Sequence, residues 1–109
     1  VCTNCAGTEQ PVKGTSAVFF PLGMAIDFMD AAGFFIGVRS GLCDIISISN
    51  CKKVVLYEKD GLFYRSSQYA YLSLEKMGLC SDSLEIEYRD DLKAEVLEEI
   101  FAYIRALQE

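Results

Sequence analysis

Histidine is missing from this sequence altogether. With it go the commonest general base near neutral pH and the commonest zinc ligand. No apolar run reaches the roughly 18 residues that a membrane span needs. No succession of basic, apolar and small residues marks the start as a signal peptide. Basic residues are in the minority, with 10 Lys and Arg against 16 Asp and Glu, so the net charge is −6. A field of that sign does not suit nucleic acid or an anionic membrane surface. A local basic spot can still serve a small anionic ligand. Internal repeats and low-complexity linkers are also missing. So is an initiating methionine: the chain opens at Val1, which we read as a processed product or an excised piece of a longer protein.

Five cysteines are present, Cys2, Cys5, Cys43, Cys51 and Cys80. An odd number without a secretory signal reads as reduced thiols in a cytoplasmic protein. Cys2 and Cys5 form a lone C-x-x-C. A zinc site would need a second pair, and a redox pair should lie between a strand and a helix N-terminus. Here a loop with glycine and proline follows. We therefore expect neither disulfide nor metal and assign no cofactor.

The remaining composition is that of one globular domain: 109 residues, 51% hydrophobic and 24% charged. Residues 1–5 read as a strand and 6–16 as a loop. Residues 17–20 ("AVFF") read as a buried strand bounded by Ser16 and Pro21. From Pro21 the spacing of Leu22, Ala25, Ile26, Met29 and Ala32 predicts a helix that ends before Gly33, with Asp27 and Asp30 on the wet face. "FFIGV" (34–38) reads as a strand buried on both faces. Leu42 to Ser49 reads as a short helix with Ile45, Ile46 and Ile48 inward. "KVVLY" (53–57) is another strand. Ser66 or Ser67 could cap a helix through Met77, with Gly78 beyond it. Residues 83–88 alternate as an edge strand would. A final helix from Asp90 or Asp91 carries the stripe Val96, Leu97, Ile100, Phe101, Ile104 and Leu107, with Glu95, Glu98 and Glu99 on a solvated face. Apolar strands that do not alternate imply a parallel sheet covered on both sides. The fold class expected is α/β, three-layer and Rossmann-like, with a mainly parallel sheet. The carboxyl ends of 1–5, 17–20, 34–38 and 53–57 should share one edge.

Ligands of such sheets bind beyond the carboxyl ends of the strands. Arg39 and Ser40 stand at such an end, Gly41 lets the backbone turn closely, and Leu42 to Asp44 open the next helix, whose free N–H groups attract anions. These amides, the Ser40 hydroxyl and the Arg39 guanidinium could converge on one phosphate group. In the other reading, Arg39 pairs with Asp44 and only closes the rim of the sheet. Asn4, Thr8 and Glu9 lie on the loop after the first strand and could touch a ribose or sugar hydroxyl, or simply be loop polarity. Tyr57 and Glu58 end their strand at the same edge and are candidate base or ribose contacts. Lys52 and Lys53 begin that strand and are excluded from the site.

The stretch "FIGVRSGLCDIISISNCKKVVLY" resembles the donor-side half of GT-B glycosyltransferases, in their heptosyltransferase-like branch. The match lies in Phe35-Ile36-Gly37, Arg39-Ser40-Gly41-Leu42 and Lys53-Val54-Val55-Leu56-Tyr57. "VCTNCAGTEQPVKGT" followed by "FFPLGMAIDFMDAAGFFIG" is similar to bacterial cell-surface polysaccharide transferases. The resemblance covers most of residues 1–58; beyond residue 60 only the order of elements fits. Arg39 stands where that branch usually has an acidic residue, and Asp44 stands near its usual histidine. The acidic residue's donor contacts therefore do not carry over. The resemblance implies the C-terminal, nucleotide-sugar-binding half of a two-domain enzyme, its partners a nucleotide-diphosphate sugar donor and a missing N-terminal domain. That half alone is expected to be inactive, and its exposed cleft surface to favour self-association. A stand-alone nucleotide- or phosphate-binding module, or a structural interaction module, is the alternative.

Overall fold

The structure, a computed structural model, describes residues 1–5, 7–58, 69, 72–88 and 90–107. Short runs form the strands, apolar at 34–38 and 54–57 and alternating at 84–88. These are β1 (Cys2–Asn4), β2 (Ser16–Val18), β3 (Phe34–Val38), β4 (Lys52–Glu58) and β5 (Leu84–Tyr88). The runs with helical period form α1 (Ala25–Ala32), α2 (Gly41–Ile46) and α3 (Lys93–Leu107). Short 3-10 turns at Leu22–Met24 and Asp90–Leu92 lead into α1 and α3. The helix α1 stops at Gly33, whose φ of 80° is left-handed and whose N–H returns to Met29 O at 2.9 Å. Glycine adopts that conformation without a steric penalty. The helix expected up to Met77 lies largely outside the described residues. Where it is described, the chain leaves the helix before the expected end: residues 74–78 form a turn, with Met77 N–H donating to Ser73 O, and Gly78 takes a φ of 74°.

All described strand pairs are parallel, but they form two sheets rather than the one expected: β1–β2, and β3–β4–β5. The strand β2 ends early because Phe19 turns to solvent and Phe20 leaves the ladder, burying its ring at 4.5 Å from that of Phe28. Pro21 then has no N–H with which to continue a ladder.

The register of β3–β4–β5 sorts its side chains. Phe35, Gly37, Val55, Tyr57 and Glu85 share one face; Phe34, Ile36, Val54, Leu56 and Ile86 share the other. On the first face Val55 and Tyr57 pack with Cys43 of α2 and with Leu74. Met29 of α1 joins Ile46 and Cys51 beside them. On the second face Val54 and Ile86 pack against Ile100 of α3, flanked by Val96, Tyr103 and Ile104. Each such side chain contributes about 1.5–3 kcal/mol through burial. Helices thus cover both faces of the three-stranded sheet, and the molecule is a mixed α/β protein. Among the described residues no helix is long and apolar enough to cross a membrane.

Two expectations are corrected. Ile48 faces solvent because α2 ends at Ile46 and the chain turns, burying Ser47 and Ser49 instead. The strand β3 is not buried on both faces, since it is an edge strand and Ile36 and Val38 are exposed. Gly37 leaves room there for the Phe35 ring: a Cβ would lie 2.5 Å from its Cζ, and the ring would have to move aside.

Candidate functional site

The carboxyl edge of β3–β4–β5 is built around Arg39. Its N–H donates to Leu56 O at 2.9 Å and so extends the β3–β4 ladder by one residue. Its side chain then folds inward. Nε donates to Leu72 O at 2.8 Å, Nη1 to Ser40 O at 2.6 Å and Nη2 to Asp44 Oδ1 at 2.6 Å, with Met77 Sδ at 3.6 Å from Nη2. The Arg39 side chain is 5% exposed, that of Asp44 46%. The guanidinium is thus committed to the protein, and it pins the β3–α2 turn to the segment around Leu72.

Ser40 is extended, with φ −156° and ψ 175°, and α2 starts immediately after it. Its carbonyl accepts from Cys43 N–H at 3.0 Å as well as from Arg39. Its hydroxyl makes no capping bond. Gly41 has no left-handed φ, and nothing lies within 4 Å of where its Cβ would stand. Neither backbone strain nor internal crowding asks for a glycine here. Leu42 directs its side chain into the Met29–Ile46–Cys51 cluster, so it has only its backbone to offer a ligand. The N–H groups of Gly41 and Leu42, in the first turn, have no helical acceptor. Because α2 has only six residues, its dipole adds little, and any pull on an anion must come from these amides and the Ser40 hydroxyl.

Tyr57 is placed by β4 beneath this turn rather than on the open edge. Its ring is fully buried and meets Tyr69 edge-on, with centroids 5.4 Å apart. A base-stacking role for the ring does not fit that placement. Its hydroxyl donates to Glu85 Oε1 at 2.5 Å and lies 3.4 Å from the Leu72 carbonyl that Arg39 also uses. Glu85 further accepts from Ser73 Oγ at 2.7 Å and from the N–H groups of Leu74 at 2.6 Å and Glu75 at 3.4 Å. Burial alone would raise the Glu85 pKa, but the hydrogen bonds from Tyr57, Ser73, Leu74 and Glu75 outweigh it and hold the carboxyl below its ordinary value. Burial first, and then the bond to Glu85, pushes the Tyr57 hydroxyl well above its ordinary value. Neither group is poised to exchange a proton near neutrality. Both groups are committed to each other and to the segment from Leu72 to Glu75.

The structure therefore brings together Arg39, Ser40, Gly41, Leu42 and Asp44, with Tyr57 as their support. Glu58 ends β4 at the same edge; its side chain lies outside the described residues. Asn4 ends β1, in the separate β1–β2 sheet, and Glu9 lies in the loop that joins β1 to β2. The sequence reading missed Glu85 and Ser73. Glu85 alternates with apolar neighbours and looks like an outward residue. Only the pairing of Val55 with Glu85 places it on the face of Tyr57. Lys53, excluded as lying at the other end of β4, is indeed there. It is buried, its Nζ donating to Ser49 O and Cys51 O at 2.8 Å each. Among the described residues no cluster could hold a metal ion. Comparison with known proteins found no matching family model, curated protein or solved structure.

Proposed function

We propose that the β3–α2 turn binds the diphosphate of a nucleotide sugar, and that the chain is the donor-binding part of a glycosyltransferase of bacterial surface polysaccharide synthesis. The phosphate is held by the Ser40 hydroxyl and the Gly41 and Leu42 amides. Arg39, buried and engaged, shapes the turn and does not touch the ligand. The observation that carries this reading is Gly41, a glycine the fold does not need, opening onto free space at the carboxyl edge of parallel strands. The sugar-nucleotide specificity rests on the resemblance of residues 34–57 to GT-B enzymes. The acceptor and the transfer step belong to a second domain.

One observation favours a purely structural role for the turn: four polar contacts already occupy the Arg39 guanidinium. Titration of the chain with pyrophosphate, nucleoside diphosphates and nucleotide sugars, followed by NMR, separates the two. Saturable shifts at the Ser40, Gly41 and Leu42 amides, stronger for nucleotide sugars than for pyrophosphate, support the donor site. No saturable shift with any of these ligands leaves the structural role.

A further inference from the structure

The outer edge of β3 is built to receive a strand. Lys52 N–H donates to Gly33 O at 3.0 Å and Arg39 N–H to Leu56 O at 2.9 Å. With in-register parallel pairing between those points, the ladder's alternation turns the peptide groups of Phe35 and Gly37 towards β4. The N–H and C=O groups of Phe34 and Ile36 therefore point away from β4, along an edge that no described strand pairs with. Natural edges are guarded by charge, proline or a bulge. Phe34–Val38 carries no charge and no proline and pairs without a bulge, and Ile36 and Val38 are 47% and 53% exposed. Its five apolar residues have the composition of a strand covered on both faces, as strands inside a parallel sheet are.

The strand β1 is in the same state. Ser16 N–H donates to Val1 O at 3.0 Å and Cys5 N–H to Val18 O at 2.7 Å. The same alternation leaves Cys2 and Asn4 directing their N–H and C=O groups away from β2. The outer edge of β2 offers only those of Ala17.

We propose that β1 and β3 are the two walls of a slot for one further parallel strand, an extended apolar segment from outside these 109 residues. In open doubly wound sheets the first strand lies in the middle, with the second and third on one side and the fourth to sixth on the other. Here β1 and β2 are neighbours like a second and third strand, and β3, β4 and β5 follow in order like a fourth, fifth and sixth. The middle place is the one left. The crossover helices α1 and α2, which would follow the third and fourth strands, pack together on one face, as one direction of right-handed winding requires. The occupant needs about five to seven residues and apolar side chains on both faces, as a central parallel strand has. The inference rests on the strand order and not on what the β3–α2 turn binds, so the ligand titration and the test below fail independently.

Residue-resolved amide exchange tests it. In the dilute 109-residue chain, Phe35 and Gly37 should exchange slowly and Phe34, Ile36, Cys2 and Asn4 fast. Slow exchange at Phe34 and Ile36 in that sample would mean that part of this chain already covers the edge. Slowing that grows with concentration would mean that a second copy does. Either result overturns the proposal. The second arm fuses a segment of about seven Val, Ile and Thr residues to Val1 through a flexible Gly/Ser linker of about fifteen residues, enough to run back along one strand. Exchange at Phe34, Ile36, Cys2 and Asn4 should then slow by roughly tenfold or more, with Ala17 unchanged. Slowing at β3 without β1, at Ala17, or nowhere overturns it. If the fusion does not fold, the same segment added as a free peptide reads the same amides.

Discussion

The two ends of the β3–β4–β5 sheet each bury a polar network, and the networks differ in reach. At the amino end, Lys53 ties back to Ser49 and Cys51, four and two residues away. Ser49 and Asn50 in turn donate to Asp30 on α1. At the carboxyl end, Arg39 reaches Leu72 across 33 residues and Tyr57 reaches Glu85 across 28. The first network closes the turn before β4 and ties it back to α1, 19 and 20 residues away. The second fastens β3, β4, β5 and the segment from Leu72 to Met77 to one another, and it sits beneath the open turn at Ser40 and Gly41. Both ends use charge-assisted bonds, and the longest separations are at the carboxyl end.

If that contrast is right, Glu85→Ala has the largest effect. It leaves the Tyr57 hydroxyl, the Ser73 hydroxyl and the Leu74 N–H without their acceptor, at a cost of about 3–5 kcal/mol. For a domain of this size the melting temperature should fall by on the order of 15–30 °C. Arg39→Ala comes next, at about 2–4 kcal/mol, because two carbonyls lose a charged donor. Arg39→Lys should recover only part, since an ammonium cannot reach Leu72 O, Ser40 O and Asp44 in one plane. Asp44 is half exposed, so Asp44→Ala should cost no more than about 1 kcal/mol. Equal losses for Arg39→Ala and Asp44→Ala would reduce the carboxyl network to a simple rim pair. At the amino end, Lys53→Met should change stability by less than about 1 kcal/mol. It takes the donor from the Ser49 and Cys51 carbonyls but also relieves the cost of burying an ammonium, and the two effects largely offset. A loss as large as that of Arg39→Ala would erase the distinction between the two ends.

Proton linkage gives a smaller but independent reading. The pKa of Glu85 is lowered in the folded protein, so the unfolded chain binds more protons in acid. Its stabilising effect is present above the unfolded value of about 4.3 and is lost as pH falls through the folded value. The pKa of Tyr57 is raised, so its effect is present below the unfolded value of about 10 and is lost as pH rises beyond it. Melting temperature against pH should show a plateau with both shoulders. Glu85→Gln should flatten the acid shoulder and Tyr57→Phe the alkaline one.

Strand and helix identities were legible in the sequence because the runs are short, apolar and punctuated. Phe34–Val38 matches its predicted bounds, and Gly33 marks the helix stop expected of it; Gly78 is left-handed too, but it closes a turn rather than the helix expected to reach Met77. The β3–α2 turn was legible too, as strand, glycine and helix in succession. What a single sequence could not show is register and pairing. Glu85 looked like surface until its alignment with Val55 put it beside Tyr57. For Arg39 the sequence left open a phosphate contact or a pair with Asp44; the pair forms, but the bond of its Nε to Leu72, more than thirty residues away, was beyond reading. The break between β1–β2 and β3–β4–β5 depends on which strands are neighbours, which no local pattern encodes.

Gly41 tests the central claim most directly. A methyl group there meets no atom of the protein within 4 Å, and alanine restricts the unfolded chain more than glycine does. Gly41→Ala should therefore melt at the same temperature as the parent or a few degrees higher, a gain of up to about 1 kcal/mol. The same methyl group would stand in the space a phosphate needs, and affinity for a nucleoside diphosphate should fall by roughly tenfold or more, or about 1.4 kcal/mol. Stability kept and binding lost is the result predicted by a ligand site built on the β3–α2 turn. Binding unchanged in a well-folded Gly41→Ala protein would contradict it.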